Sequence, residues 1–172
     1  MGRATLIPVE PVATEAIEQQ RGGTLPRELV ASPAFLLARL GFEIKARSMV
    51  EFGELGFTPY HFSVLALLEE GSRETQATIA DALRLDRSQL VGMLDSLEGR
   101  GLIERRRDPH DRRRQSVSLT PSGKQALVSL RGIITQLQDE FLAPLSPQER
   151  EELHGLLLRL AQYHDPRCAP AV

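Results

Sequence analysis

One cysteine, Cys168, is all the thiol chemistry this 172-residue chain holds. No internal disulfide and no thiolate cluster can form, which fits a reducing compartment, and Cys168 reads as a residue of a proline-containing tail. No apolar run approaches the roughly 18 residues that span a bilayer, so no membrane partner is expected. The apolar residues near the N-terminus are broken up by Pro8, Glu10 and Pro11, which leaves no secretory core segment and points to a cytoplasmic protein. The histidines His61, His110, His154 and His164 lack metal-ligand spacing. No nucleophile elbow, phosphate loop or dinucleotide fingerprint is found. An enzyme, a bound metal and a cofactor are therefore not expected.

An overall excess of positive charge is missing too: the formal net charge is −2. Distribution matters more than the sum. Arg100, Arg105, Arg106, Arg107, Arg112, Arg113 and Arg114 lie within 15 residues, against Glu104, Asp108 and Asp111. A third of the Lys and Arg thus occupies under a tenth of the chain. With 41% apolar and 26% charged residues, the remainder suits one compact domain with helical attachments.

A hydroxyl residue followed by proline recurs at Ser32-Pro33, Thr58-Pro59, Thr120-Pro121 and Ser146-Pro147. The hydroxyl accepts from an orphan amide of the first turn, and proline at the first helical position needs no donor. Four helix starts follow, the last reinforced by Glu149 in a capping box. Residues 1–31 are read as an irregular extension, with a short helix fitting Val12 to Gln20.

Between the second and third starts, Thr75 caps a short helix over about Gln76 to Leu83. Arg84-Leu85 makes a turn, and Asp86 caps a second helix from Arg87 to Arg100. Its apolar face is Leu90, Met93, Leu94 and Leu97, and Gly101 closes it. Two short helices across a tight turn form a helix-turn-helix. Leu102 to Arg107 and Gln115 to Thr120 then read as strands joined at Asp108-Pro109, a hairpin wing. Beyond it, Leu127, Leu130, Ile134, Leu137 and Phe141 are spaced 3, 4, 3 and 4 apart, and Leu153, Leu156, Leu157 and Leu160 follow in the last helix. A second subunit or ordinary packing within the chain would cover this stripe; the first reading makes the protein a homodimer. The expected fold is mainly α with a small β-hairpin wing: a winged helix-turn-helix with a helical dimerisation region. Its parts are an extension (1–31), a first dimerisation helix (32–57), the winged lobe (58–120), C-terminal dimerisation helices (121–164) and a tail (165–172).

Several segments, taken in order, carry a resemblance. They are Phe57-Thr58-Pro59-Tyr60-His61-Phe62-Ser63-Val64-Leu65, Thr75-Gln76-Ala77-Thr78-Ile79-Ala80, Leu97-Glu98-Gly99-Arg100-Gly101-Leu102-Ile103-Glu104-Arg105, Asp111-Arg112-Arg113 and Val117-Ser118-Leu119-Thr120-Pro121-Ser122-Gly123. Together they resemble the MarR family of bacterial transcription regulators over about residues 33–164. The resemblance implies an obligate dimer with interlocked terminal helices that represses genes at palindromic operators. In many members a small, often aromatic, effector ends DNA binding. It also implies that Arg113 enters the minor groove, oriented by Asp111.

At about 1.5 Å per residue, the helix from Arg87 to Arg100 is long enough to lie in a major groove of double-stranded DNA. Arg87, Ser88, Gln89, Val91 and Gly92 project from its polar side. Gln89 suits a bidentate contact to adenine, Val91 a thymine methyl, and Arg87 a guanine or phosphate. Where Gly92 stands, the family often has a longer basic residue; glycine either permits closer approach or removes a contact. Arg112 and Arg114 are assigned to phosphates, and Thr75, Gln76 and Ser88 are read as register-fixing phosphate contacts. For the effector, Phe35, Arg39, Phe42, His61 and Leu65 place aromatic and polar groups on the first two helices, although Phe and Leu at this spacing also suit a core. The competing reading is a protein-interaction module whose arginines meet an acidic partner.

Overall fold

The computed structural model describes residues 23–71, 74–107 and 115–169. The chain divides into two units at Phe42 and Glu43. In the first, α1 (Arg27–Val30) is a single helical turn inside the segment expected to be irregular. The helix expected over 12–20 lies outside the described residues. The Ser32 hydroxyl accepts from the Phe35 amide at 3.3 Å and starts α2 (Pro33–Glu54), which runs past the division. Leu36, Leu37, Leu40 and Phe42 of this unit are exposed, Phe42 at 75%.

The second unit is built on the expected caps. Thr58 starts α3 (Pro59–Glu70) with Pro59 at its first position, and a two-residue strand, β1 (Glu74–Thr75), follows. Thr75 caps α4 (Gln76–Leu83) and Asp86 caps α5 (Arg87–Gly99). The hairpin strands are β2 (Ile103–Arg107) and β3 (Gln115–Leu119). Thr120 caps α6 (Pro121–Phe141) and Ser146 caps α7 (Pro147–His164), the latter through the expected capping box with Glu149. The sheet has three strands in the order β1-β3-β2, all antiparallel. β1 was not foreseen, because two residues carry no alternation; they pair Glu74 with Val117 and Thr75 with Ser116.

One core organises this unit. Phe52, Val64, Leu65, Ile79, Leu94, Leu97, Val117, Leu127 and Leu130 are fully buried. Leu127 and Leu130 thus pack into the core of the winged lobe, and with Leu137 three of the five α6 residues read as a dimer seam are buried within the chain. Ile134 packs beside them, whereas Leu156 and Leu160 on α7 remain about half exposed. Gly123 sits where a Cβ would fall 2.0 Å from the Leu102 carbonyl oxygen, so only glycine lets the start of α6 press against the segment between α5 and β2. The Arg150 guanidinium closes the α6–α7 corner by donating to the Leu142 and Leu145 carbonyls, at 3.1 and 3.2 Å, and to Asp139.

Candidate nucleic-acid interface

The surface begins at Asp86. Its Oδ1 accepts from the Ser88 amide (2.8 Å), the Ser88 hydroxyl (2.5 Å) and the Gln89 amide (3.0 Å). These bonds, the Ser88 hydroxyl first and the Gln89 amide next, hold the Asp86 carboxyl below its ordinary value. Behind the cap, Leu90, Leu94 and Leu97 anchor one face of α5 in the core. Arg87, Ser88, Gln89, Val91 and Gly92 are all exposed on the other. The helix is therefore fixed in rotation, and its first turn presents a cation, a hydroxyl and an amide together. Because the Ser88 hydroxyl already donates to Asp86, its free capacity is as an acceptor. A Cβ at Gly92 would meet nothing within 4 Å, so packing inside the chain does not demand glycine there.

Thr75 and Gln76 lie at the N-terminus of α4, both partly exposed. Thr75 accepts from the Thr78 amide at 3.2 Å, while its own amide donates to the Thr78 hydroxyl at 2.9 Å. Asp111, Arg112, Arg113 and Arg114 lie outside the described residues, between β2 and β3.

The arginine cluster divides in a way that counting could not show. Arg105 donates to Glu98 (Nε, 2.9 Å) and to Asp95 (2.6 Å), tying β2 to α5. Its hydrogen bond keeps the Glu98 carboxyl below the ordinary range, and Arg105 is held correspondingly more basic. Arg106 pairs with Glu104 at 3.0 Å. Arg100 donates to the Gly56 carbonyl at 2.8 Å and lies over the Phe57 ring, 3.7 Å from its centroid. Two of the seven arginines, Arg100 and Arg105, thus brace the lobe, and Arg106 pairs along its own strand. No signal in their own neighbourhood separates Arg100 and Arg105 from the rest, because both find partners on other elements.

A cleft of about 430 Å³ opens between the start of α3 and the exposed side of α5. Tyr60, His61, Leu85 and Met93 give it an apolar lining, and Thr58, Gln89 and Ser96 supply polar groups. Gly92 also borders it. His61 is buried, and its Nδ1 accepts the Thr58 amide at 3.1 Å, which fixes the proton of the neutral ring on Nε2. Burial, and then the nearby Arg100 charge, lower the His61 pKa below the ordinary imidazole value. Of the residues read as effector contacts, His61 lines this cleft. Leu65 is a fully buried core residue, and Phe35, Arg39 and Phe42 lie in the first unit on α2. The sequence reading missed Tyr60, Leu85, Met93 and Ser96, which only the α3–α5 approach brings together. Among the described residues no helix is long and apolar enough to cross a membrane.

Two helices across a tight turn, followed by a hairpin sharing its sheet with a strand ahead of the first helix, define a winged helix-turn-helix. Residues 57–114 match the family model described as the MarR family. A Thauera aromatica protein named as a transcriptional regulatory protein for the hcr operon is 33% identical over 133 residues, 73% of this chain and 80% of that one. The structure of the transcriptional repressor CouR bound to a 23-mer DNA duplex matches with a TM-score of 0.73 and 31% identity, covering 81% of this chain and 99% of that one. Bordetella bronchiseptica BpsR, whose DNA binding is regulated by 6-hydroxynicotinic acid, matches with a TM-score of 0.65 and 25% identity, over 74% and 97%. The chain belongs to the MarR family and is a DNA-binding transcriptional regulator.

Proposed function

We propose that this regulator acts as a homodimeric repressor, reading a palindromic operator through α5 and releasing it when a small aromatic compound occupies the α3–α5 cleft. The observation that carries the reading is the exposed first turn of α5. The side chains of Arg87, Ser88 and Gln89 are exposed on a helix whose opposite face is locked in the core. A rigid helix with polar groups at its N-terminal turn is what major-groove readout needs. CouR supports the reading as a similar repressor on DNA, and the apolar stripe of α7 supplies a surface for a second subunit.

The wing completes the grip. Arg113, with Asp111 orienting it, is assigned to the minor groove, where narrow A·T stretches concentrate negative potential. Arg112 and Arg114 flank it as phosphate contacts, as do Thr75 and Gln76 at the start of α4.

Release follows from the position of the cleft. An occupant held by Tyr60, His61 and Met93 also touches Gln89 and borders Gly92, so a ligand and DNA compete for the same side of α5. The volume falls within the usual range for small-molecule sites, and the lining suits a ring carrying one or two polar groups. BpsR, a similar protein whose DNA binding is regulated by 6-hydroxynicotinic acid, supports an aromatic occupant.

The test is a mobility shift with the DNA upstream of the protein's own gene, with and without scrambled competitor. Retention of the shifted species against competitor is the expected result. Binding to acidic proteins without any preference among DNA sequences would instead favour the protein-interaction reading.

A further inference from the structure

Arg84 closes α4 with φ 51° and ψ 41°, and among the described residues it alone combines a side chain with a positive φ. Glycine is the usual occupant of such a position, since a Cβ there costs about 1–2 kcal/mol. Something must compensate for arginine at the turn of the helix-turn-helix. The partner comes from far along the chain. After α7, Asp165 starts a 3-10 turn (Pro166–Cys168), and its carboxylate forms an ion pair with Arg84, Oδ2 lying 3.0 Å from Nη2. The same carboxylate takes Arg167 Nε at 2.9 Å and Nη2 at 3.2 Å. Arg167 reaches back in turn, donating through Nη1 to the Asp81 carbonyl. That carbonyl also accepts the Arg84 amide at 3.3 Å. Two arginines and one carboxylate thus hold the α4 end of the turn, and the Asp165 side chain is only 23% exposed.

The turn sets the angle between α4 and α5, and Asp86, which caps the reading turn, lies two residues beyond Arg84. We propose that Asp165 is a positioning residue for DNA binding, clipping the helix-turn-helix to the end of α7 so that α5 is presented at a fixed angle. This rests on the DNA-binding reading above. A plain charge argument predicts the opposite sign, because Asp165 neutralises a cation close to the reading helix. Removing it adds one positive charge, which by itself strengthens binding to DNA.

Asp165→Asn keeps the size and capping ability of the side chain while discharging it. Affinity of the full chain for the DNA upstream of its own gene is measured at fixed salt, together with amide hydrogen exchange at Arg84 and Leu85. The expected result is an affinity loss of about fivefold with faster exchange at both amides. Arg84→Gly suits the positive φ and so keeps the turn; combined with Asp165→Asn it loses no more than the weaker-binding single variant. Unchanged or tighter binding by Asp165→Asn, unchanged exchange, or additive losses in the double variant would each overturn the proposal. Failure of the unaltered protein to bind the fragment overturns the DNA-binding reading instead, and the exchange measurement still decides whether the clip exists.

Discussion

The Arg100 guanidinium lies over the Phe57 ring, with its carbon 3.7 Å from the ring centroid, and joins the end of the reading helix to the start of α3. The Phe57 ring in turn meets the His61 ring edge-on, with centroids 6.1 Å apart. A fixed cation therefore sits close to an imidazole that must stay neutral to accept the Thr58 amide.

The His61 pKa is lowered in the folded protein, so below about pH 6.5 the unfolded chain binds a proton that the folded one resists. Stability from this group is complete above the unfolded pKa. It falls as pH drops through that value toward the lower folded one. Thermal unfolding between pH 8 and pH 5 should show a decline that His61→Gln flattens, because glutamine accepts the Thr58 amide without titrating. Equal slopes in the two proteins would remove His61 as the cause.

Arg100 should behave as a structural residue despite its place in a basic cluster. Arg100→Met is expected to lower stability by about 1 kcal/mol through the lost ring contact and the lost bond to the Gly56 carbonyl. It should also relieve the repulsion on protonated His61, so the acid decline narrows. Chemical denaturation at two pH values reads both effects.

Gly123→Ala should be among the most damaging single changes in the protein. A Cβ there meets the Leu102 carbonyl oxygen at 2.0 Å and the Leu119 side chain at 2.9 Å. The Leu102 oxygen also accepts the Thr120 amide and hydroxyl, both at 3.0 Å, so it cannot simply swing away. A cost of roughly 2–4 kcal/mol is expected, measured as a lowered denaturation midpoint.

Gly92→Ala has the opposite sign for stability. With nothing near the added methyl group and an exposed helical site, alanine should stabilise α5 by about 0.5–1 kcal/mol. If the open face of Gly92 lets DNA come close, the same variant binds more weakly while melting at a higher temperature. Higher stability with unchanged DNA affinity would show that Gly92 merely leaves one contact out.

Legibility in the sequence followed the range of the interaction. Hydroxyl-proline pairs and Asp86 are local devices, and each stands at the helix start it announced, with Gly101 at φ 69° after α5. The strands were readable from Val117 and Leu119 alternating with polar neighbours. What escaped depends on partners distant in the chain. Arg105 finds Glu98 and Asp95 only once β2 folds back along α5, and Arg84 meets Asp165 only through the path of the last helix. The cleft escaped for the same reason, since Tyr60 and Met93 become neighbours only when α3 and α5 pack. The helical stripe misled in part because 3-4 spacing marks a buried face without naming what buries it, and Leu127 and Leu130 are buried by the lobe itself.

The central claim is that the first turn of α5 reads bases, and Gln89 tests it most directly. Its side chain is exposed and its amide nitrogen is already committed to Asp86, so Gln89→Ala leaves cap and core untouched. Fluorescence anisotropy at one salt concentration should compare the upstream fragment with a scrambled duplex. The account predicts a loss of about 1–3 kcal/mol on the specific fragment, roughly five- to 150-fold, with scrambled DNA bound as before. Equal affinity of Gln89→Ala and the unaltered protein for the specific fragment would contradict it.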